Sequence, residues 1–209
     1  MLDRRCCCIN IVNAGVSGYG TDQGFHLLQR IWSTIQPQLV VLIFCSDNDR
    51  VDNSLNVRYD FYRKPYFTTA ADGALQLQGQ PVPKSYQLYI SENWLVRHLW
   101  LARFAVLAYV EARHPKFYVP DPTERIVGAM RDFVEARGAR LIVGLQGSDG
   151  KLVQHLQAER IAFVTFDGAE PYSAAYGAHW TPAGHRLVAE RLLALLSQQN
   201  FTEVDNGSR

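Results

Sequence analysis

Three short stretches hold the residues of this sequence best suited to chemistry: "VNAGVSGYGTDQ" (12–23), "SDND" (46–49) and "AHWTPAGH" (178–185). In the first, Gly15, Gly18 and Gly20 leave the backbone bare between an apolar run and a helical pattern. A phosphate, an oxyanion or only a tight turn can explain such bareness. In the second, Asn48 stands between two aspartates just after the apolar run "LVVLIFC" (39–45), and open α/β sheets gather ligands at the carboxyl ends of such strands. A backbone N–H at a glycine turn and an asparagine amide can point at one oxygen, and one such donor is worth about 3 kcal/mol in a transition state. Gly18 and Asn48 fill those two roles, and His179 in the third stretch is the candidate proton relay. The plainer alternatives are a turn-holding Asn48 and a capping or packing His179.

Other chemistries fit less well. The glycines fall as G-x-x-G-x-G rather than G-x-G-x-x-G, and no acidic residue closes a second strand about twenty residues on, as a dinucleotide site requires. No Gly-Lys-Ser/Thr follows, which removes a phosphate-binding P-loop. Gly15-Val16-Ser17-Gly18-Tyr19 lacks the final glycine of a nucleophile elbow. His179 and His185 share no helical face, and Cys6, Cys7 and Cys8 are adjacent rather than spaced as zinc ligands are, so no metal site is expected. The three cysteines read as small apolar residues of a buried strand, and with Cys45 they make no disulfide framework.

The elements that must carry these residues alternate. Apolar runs at 6–12 ("CCCINIV"), 39–45, 140–145 ("RLIVGL") and 161–166 ("IAFVTF") read as buried strands. Helical spacing covers about 22–35, 123–137 and 149–158, with Gly138 as a stop; the last helix starts from Thr181 as N-cap with Pro182 in its first turn and runs to about Ser197. Between them, 50–122 reads as an insertion or lid, Gly/Pro-punctuated with a short hairpin, followed by one long amphipathic helix over 91–113. Trp94, Trp100 and the Tyr/Phe cluster at 59–67 are expected to pack in the core or lid. The fold class is α/β, one domain over 1–200 with 201–209 as a frayed tail.

Composition bounds the partners. The chain has 209 residues, 47% of them hydrophobic, with 21 basic against 20 acidic residues and a net charge of +1. No global field invites nucleic acid or an anionic membrane. No apolar run reaches the length of a membrane span, and the first residues carry no signal-peptide pattern, so a cytoplasmic chain acting on a small or neutral substrate is expected.

Taken together, "NAGVSGYGTDQ", "LVVLIFCSDND" and "HWTPAGHRLVAERL" resemble blocks of the SGNH (GDSL-type) hydrolase superfamily. The likeness covers nearly the whole chain; "KPYF", "DGALQL" and "PVP" look like the insertion of a bacterial branch. It implies a three-layer α/β/α sandwich with a flavodoxin-like, mostly parallel sheet. It also implies hydrolysis of acyl esters through a serine acyl-enzyme, without metal or organic cofactor. By this resemblance Gly18 and Asn48 form the oxyanion hole, His179 is catalytic, and the substrate is a small-molecule, carbohydrate or lipid ester.

The sequence departs from the family pattern in two places. It contains no Gly-Asp-Ser; "QGSDG" (146–150) has the letters in another order. The first central strand and its nucleophile are therefore expected to be missing, with roughly one βα unit of about 30 residues ahead of Met1 in an intact protein. Three residues before His179, where the family has Asp, stands Tyr176. Asp167, Glu170 or a carbonyl of Ala175 or Tyr176 remain open as its partner. The competing expectation is a non-catalytic relative that binds an acylated ligand.

Overall fold

The computed structural model describes residues 10–172 and 179–199. The chain divides into two compact units: 1–14, 37–47 and 133–209 form the first, and 15–36 with 48–132 form the second.

The first unit is built on a parallel three-stranded sheet. β1 (Leu39–Cys45) pairs with β6 (Arg140–Gln146), which pairs with β7 (Ala162–Thr165). β1 and β6 run in register from Leu39 opposite Arg140 to Cys45 opposite Gln146. Both are built on continuous apolar runs; the central β6 is buried from Leu141 to Leu145, as a strand with two covered faces requires, whereas in β1 only Phe44 is fully buried. α7 (Gly150–Ala158) is capped by the Asp149 carboxylate, which accepts the Leu152 N–H at 2.9 Å. α8 (Pro182–Gln198) is capped by the Thr181 hydroxyl, which accepts the Gly184 N–H at 3.2 Å, with Pro182 at the first helical position. Such caps satisfy backbone donors that a helix start leaves unpaired.

Among the described residues no strand lies on the outer edge of β1. Val41 and Ile43, on one face of that strand, are 39% exposed each. The strand expected over 6–12 falls mostly outside the described residues; its described part, Asn10 to Val12, is exposed and has no strand pairing.

The second unit holds α1 (Thr21–Ile35), α2 (Asp49–Asn53), the two-stranded ribbons β2 (Val57–Arg58) with β3 (Tyr62–Arg63) and β4 (Tyr66–Thr69) with β5 (Leu75–Gln78), then α3 (Tyr86–Glu92), α4 (Trp94–His98), α5 (Trp100–Arg113) and most of α6 (Thr123–Glu135). The expected hairpin is β4–β5. Phe25 of α1 stacks on Phe67 of β4 with ring centroids 5.8 Å apart.

One helix over 91–113 is corrected to three. Asn93 and Leu99 are extended, with φ of −118° and −111°. The Asn93 side chain accepts the N–H groups of Leu95 and Val96, so this residue acts as a cap instead of continuing α3. At the second break the Arg103 guanidinium donates to the carbonyls of Val96 (3.0 Å) and Arg97 (2.5 Å), pairing groups that the end of α4 would leave open. The expected packing of Trp94 and Trp100 is also corrected, since both side chains are exposed.

Gly144 in mid-β6 fixes how the sheet meets the segment that leads to α8. A Cβ there would stand 2.5 Å from Phe166 Cζ and 2.9 Å from Ile43 Cδ1. Phe166 in turn packs edge-on against Trp180, the neighbour of His179, at 5.5 Å between ring centroids. Gly144→Ala must therefore displace a buried ring, and such overpacking costs about 1–3 kcal/mol. Urea unfolding should show that loss; an unchanged midpoint would contradict the close approach.

Candidate functional site

In the second unit the glycine-rich stretch closes a tight turn. The Tyr19 N–H donates to the Val16 carbonyl at 3.1 Å, and Gly18 has φ of +80°, the left-handed conformation that the third position of a type II turn demands. What approaches the bare backbone is the protein itself. A Cβ on Gly18 would lie 2.9 Å from the Tyr59 ring, and one on Gly20 would lie 3.0 Å from Asp52 Cβ.

Gly18 lines a pocket of about 450 Å³ together with Ser17, Tyr19, Arg58, Tyr59 and Lys64. The Arg58 guanidinium lies over the Tyr59 ring at 4.3 Å. Tyr59 and Tyr62 of the pocket wall belong to the cluster expected to pack in the core or lid, and both are exposed. Sequence spacing carries no signal that brings them to the turn.

A buried polar network holds the turn and α1 in place. The Asp22 carboxylate, in the first turn of α1, pairs with Lys64, and both side chains are buried. Asp22 Oδ1 also accepts the Gln23 N–H at 2.7 Å, while the Asp22 N–H donates to Asn53 Oδ1 at 3.0 Å. Asn53 Nδ2 donates to the Thr123 hydroxyl (3.0 Å), which donates to Asp121 (2.5 Å). Burial pushes the Asp22 carboxyl above its ordinary range, and Lys64 opposes that rise. Burial also acts to raise Asp121, but hydrogen bonds from Thr123 and Arg50 outweigh it and hold that carboxyl below the ordinary range.

Asn48 sits at the N-cap of α2, yet its side chain makes no cap bond. Its amide Nδ2 donates to Asp52 Oδ2 at 2.7 Å and to Asp49 Oδ1 at 3.4 Å. Asp52 is also paired with Arg58. Gly18 and Asn48 thus belong to one unit, but Asn48 is not among the residues lining the pocket of Gly18.

His179, Asp167 and Glu170 belong to the first unit. The Tyr172 N–H donates to the His179 carbonyl at 2.8 Å and the Thr181 N–H to the Glu170 carbonyl at 2.9 Å, around a bridge between Pro171 and Trp180. This short ribbon sets Tyr172 opposite His179 and Glu170 opposite Thr181. The Glu170 carboxylate accepts the Thr181 hydroxyl (2.9 Å) and Asp167 accepts that of Thr165 (2.8 Å). Neither carboxylate bonds the exposed His179 imidazole. Ala175 and Tyr176 lie outside the described residues. His185 packs edge-on against Trp180 at 5.6 Å. Among the described residues no cluster of three or more His, Cys, Asp or Glu side chains is arranged to hold a metal ion.

Lys64→Met tests the network. It leaves Asp22 buried without its cation, a change that costs about 3–5 kcal/mol. Because the folded Asp22 carboxyl binds its proton more tightly than the unfolded one, the cost grows as pH rises above the ordinary carboxylate range and eases as pH falls toward it. Urea melts of the variant should be weakest at neutral pH and recover in part near pH 5; full stability at pH 7 would contradict the role of the pair.

Comparison with known proteins gives no counterpart: no family model matches the chain, and no curated protein and no solved structure shows significant similarity to it.

Proposed function

We infer that this chain carries the oxyanion and proton-relay parts of an SGNH-type ester hydrolase acting on an acylated small molecule, carbohydrate or lipid. The observation that carries this reading is the order of three polar blocks along a parallel α/β chain. The Gly18 turn precedes α1, Asn48 follows β1, and His179 stands two residues before the Thr181 cap of α8. The parallel order β1–β6–β7 is that of the third, fourth and fifth strands of a 2-1-3-4-5 flavodoxin-like sheet, which supports the same reading.

In this mechanism a serine oxygen attacks the acyl carbonyl, and His179 takes its proton and returns it to the leaving alcohol. The Gly18 N–H and Asn48 Nδ2 donate to the oxygen that becomes negative. Asn48 reaches that role by leaving Asp52, which keeps Arg58 as its counter-ion. No buried carboxylate is stranded by the switch. The sequence supplies no Gly-Asp-Ser for the attacking serine.

A second reading, ligand binding without turnover, is favoured by that missing motif and by the engagement of the Asn48 amide. Two assays test the readings. The chain should hydrolyse p-nitrophenyl acetate no faster than buffer, and should bind a methylphosphonate monoester, a mimic of the tetrahedral intermediate, saturably. Asn48→Ala should weaken that binding about tenfold, the worth of one charge-assisted hydrogen bond. Steady ester turnover that survives His179→Ala would contradict the assigned relay. Failure to bind the phosphonate would contradict both readings.

A further inference from the structure

α5 wears its amphipathic pattern inside out. Leu101, Phe104, Ala105, Ala108, Tyr109 and Ala112 recur at the spacing of one helical face, and all six are exposed. Val110 is buried on the other side. A surface helix of a globular domain normally turns its apolar face inward. α4 and the junction to α5 add further exposed apolar side chains, Trp94 (68% exposed), Leu95, Leu99 and Trp100 (71%), and Trp100 lies against Phe104 (64%), next to Leu101 (82%), with ring centroids 6.5 Å apart. Contiguous exposed surface of this kind marks an interaction site.

Charge decides what covers it. From Asn93 to Val110 the sequence has no Asp or Glu, but it has Arg97 and Arg103, the latter stacked over Trp100 at 4.8 Å. The bracketing acids are already used: Glu92 pairs with Lys84, and Glu111 pairs with Arg63 at 2.7 Å. A second copy docked by a two-fold axis would offer the same patch, with no acid for the two arginines to meet. An anionic bilayer supplies both needs, phosphate charge for the arginines and an acyl boundary for tryptophan, leucine and phenylalanine. The geometry suits lying on a membrane rather than crossing it. α5 has 14 residues, about 21 Å of helix, against a hydrocarbon core of about 30 Å. Among the described residues no helix is long and apolar enough to span.

We propose that the outward face of α4 and α5 docks on an anionic membrane surface, with Trp94, Trp100, Leu101 and Phe104 at the headgroup–acyl boundary and Arg97 and Arg103 on the headgroups. The inference goes beyond the hydrolase reading and does not depend on it. It does connect to the pocket, because Glu111 of the same helix holds Arg63, another residue of the pocket wall.

The test is sedimentation of the full chain with vesicles of mixed phosphatidylcholine and phosphatidylglycerol, compared with phosphatidylcholine alone, while following tryptophan emission. Expected are binding to the mixed vesicles with a blue shift, and binding to neutral vesicles at least tenfold weaker. Arg97→Gln should weaken the former about fivefold, the worth of one basic residue at an anionic surface. Leu101→Asp with Phe104→Asp should abolish it without lowering the melting temperature, both side chains being exposed. Absence of binding to the mixed vesicles overturns the proposal, as does equal binding to neutral ones. A concentration-dependent dimer, dissolved by the two aspartates and indifferent to vesicles, overturns it in favour of a second copy.

Discussion

The buried pair of Asp22 and Lys64 is the constraint on which the second unit depends. Two charges taken out of water hold together only with good geometry and with their remaining hydrogen-bonding capacity met, and each member commits a different stretch of chain. Asp22 lies in the first turn of α1, so its burial fixes where that helix starts and where the Gly18 turn ends. Lys64 directly follows β3, so its burial fixes the ribbon that carries Arg58, Tyr59 and Arg63. Asn53 and Thr123 carry the same network to the end of α2 and the start of α6. The pocket beside Gly18 is the space these commitments leave, walled by residues whose backbone positions the ion pair determines.

Much of the first unit was legible because its signals are local. Continuous apolar runs mark β1 and β6, Gly138 ends α6 in a left-handed conformation, and Thr181 with Pro182 starts α8. The long helix over 91–113 was misread because its interruptions depend on specific hydrogen bonds. The break at Asn93 is held by its own side chain accepting two N–H groups, and the break at Leu99 by Arg103 reaching back to Val96 and Arg97, which spacing does not encode. Periodicity also identifies an apolar face without saying what it meets. In α5 the face is real and its direction is outward.

The site divides in the same way. That Gly18 needs a positive φ could be read from its turn, whereas Tyr59, which fills the space a side chain would take, comes from 41 positions later and cannot. Asn48 lies three residues beyond β1, at the N-cap of α2. Its commitment to Asp52, one helical turn on, makes it a donor already in use, and any oxyanion must compete with a carboxylate that Arg58 also holds. His179 emerges exposed on a short ribbon with Glu170, whose carboxylate is turned to Thr181. These are chemically capable groups, and the proposed function asks the Asn48 amide to exchange one hydrogen bond for another, while the sequence holds no Gly-Asp-Ser for a nucleophile.

The most direct test of that account is the amide proton resonance of Gly18 during titration with a methylphosphonate monoester. An N–H that donates to a tetrahedral oxyanion should move downfield and saturate with the ligand, and the Asn48 side-chain amide should move with it as it leaves Asp52. A Gly18 resonance that stays in place while the ligand binds elsewhere would show that the turn serves only Tyr59, and the oxyanion assignment would fall.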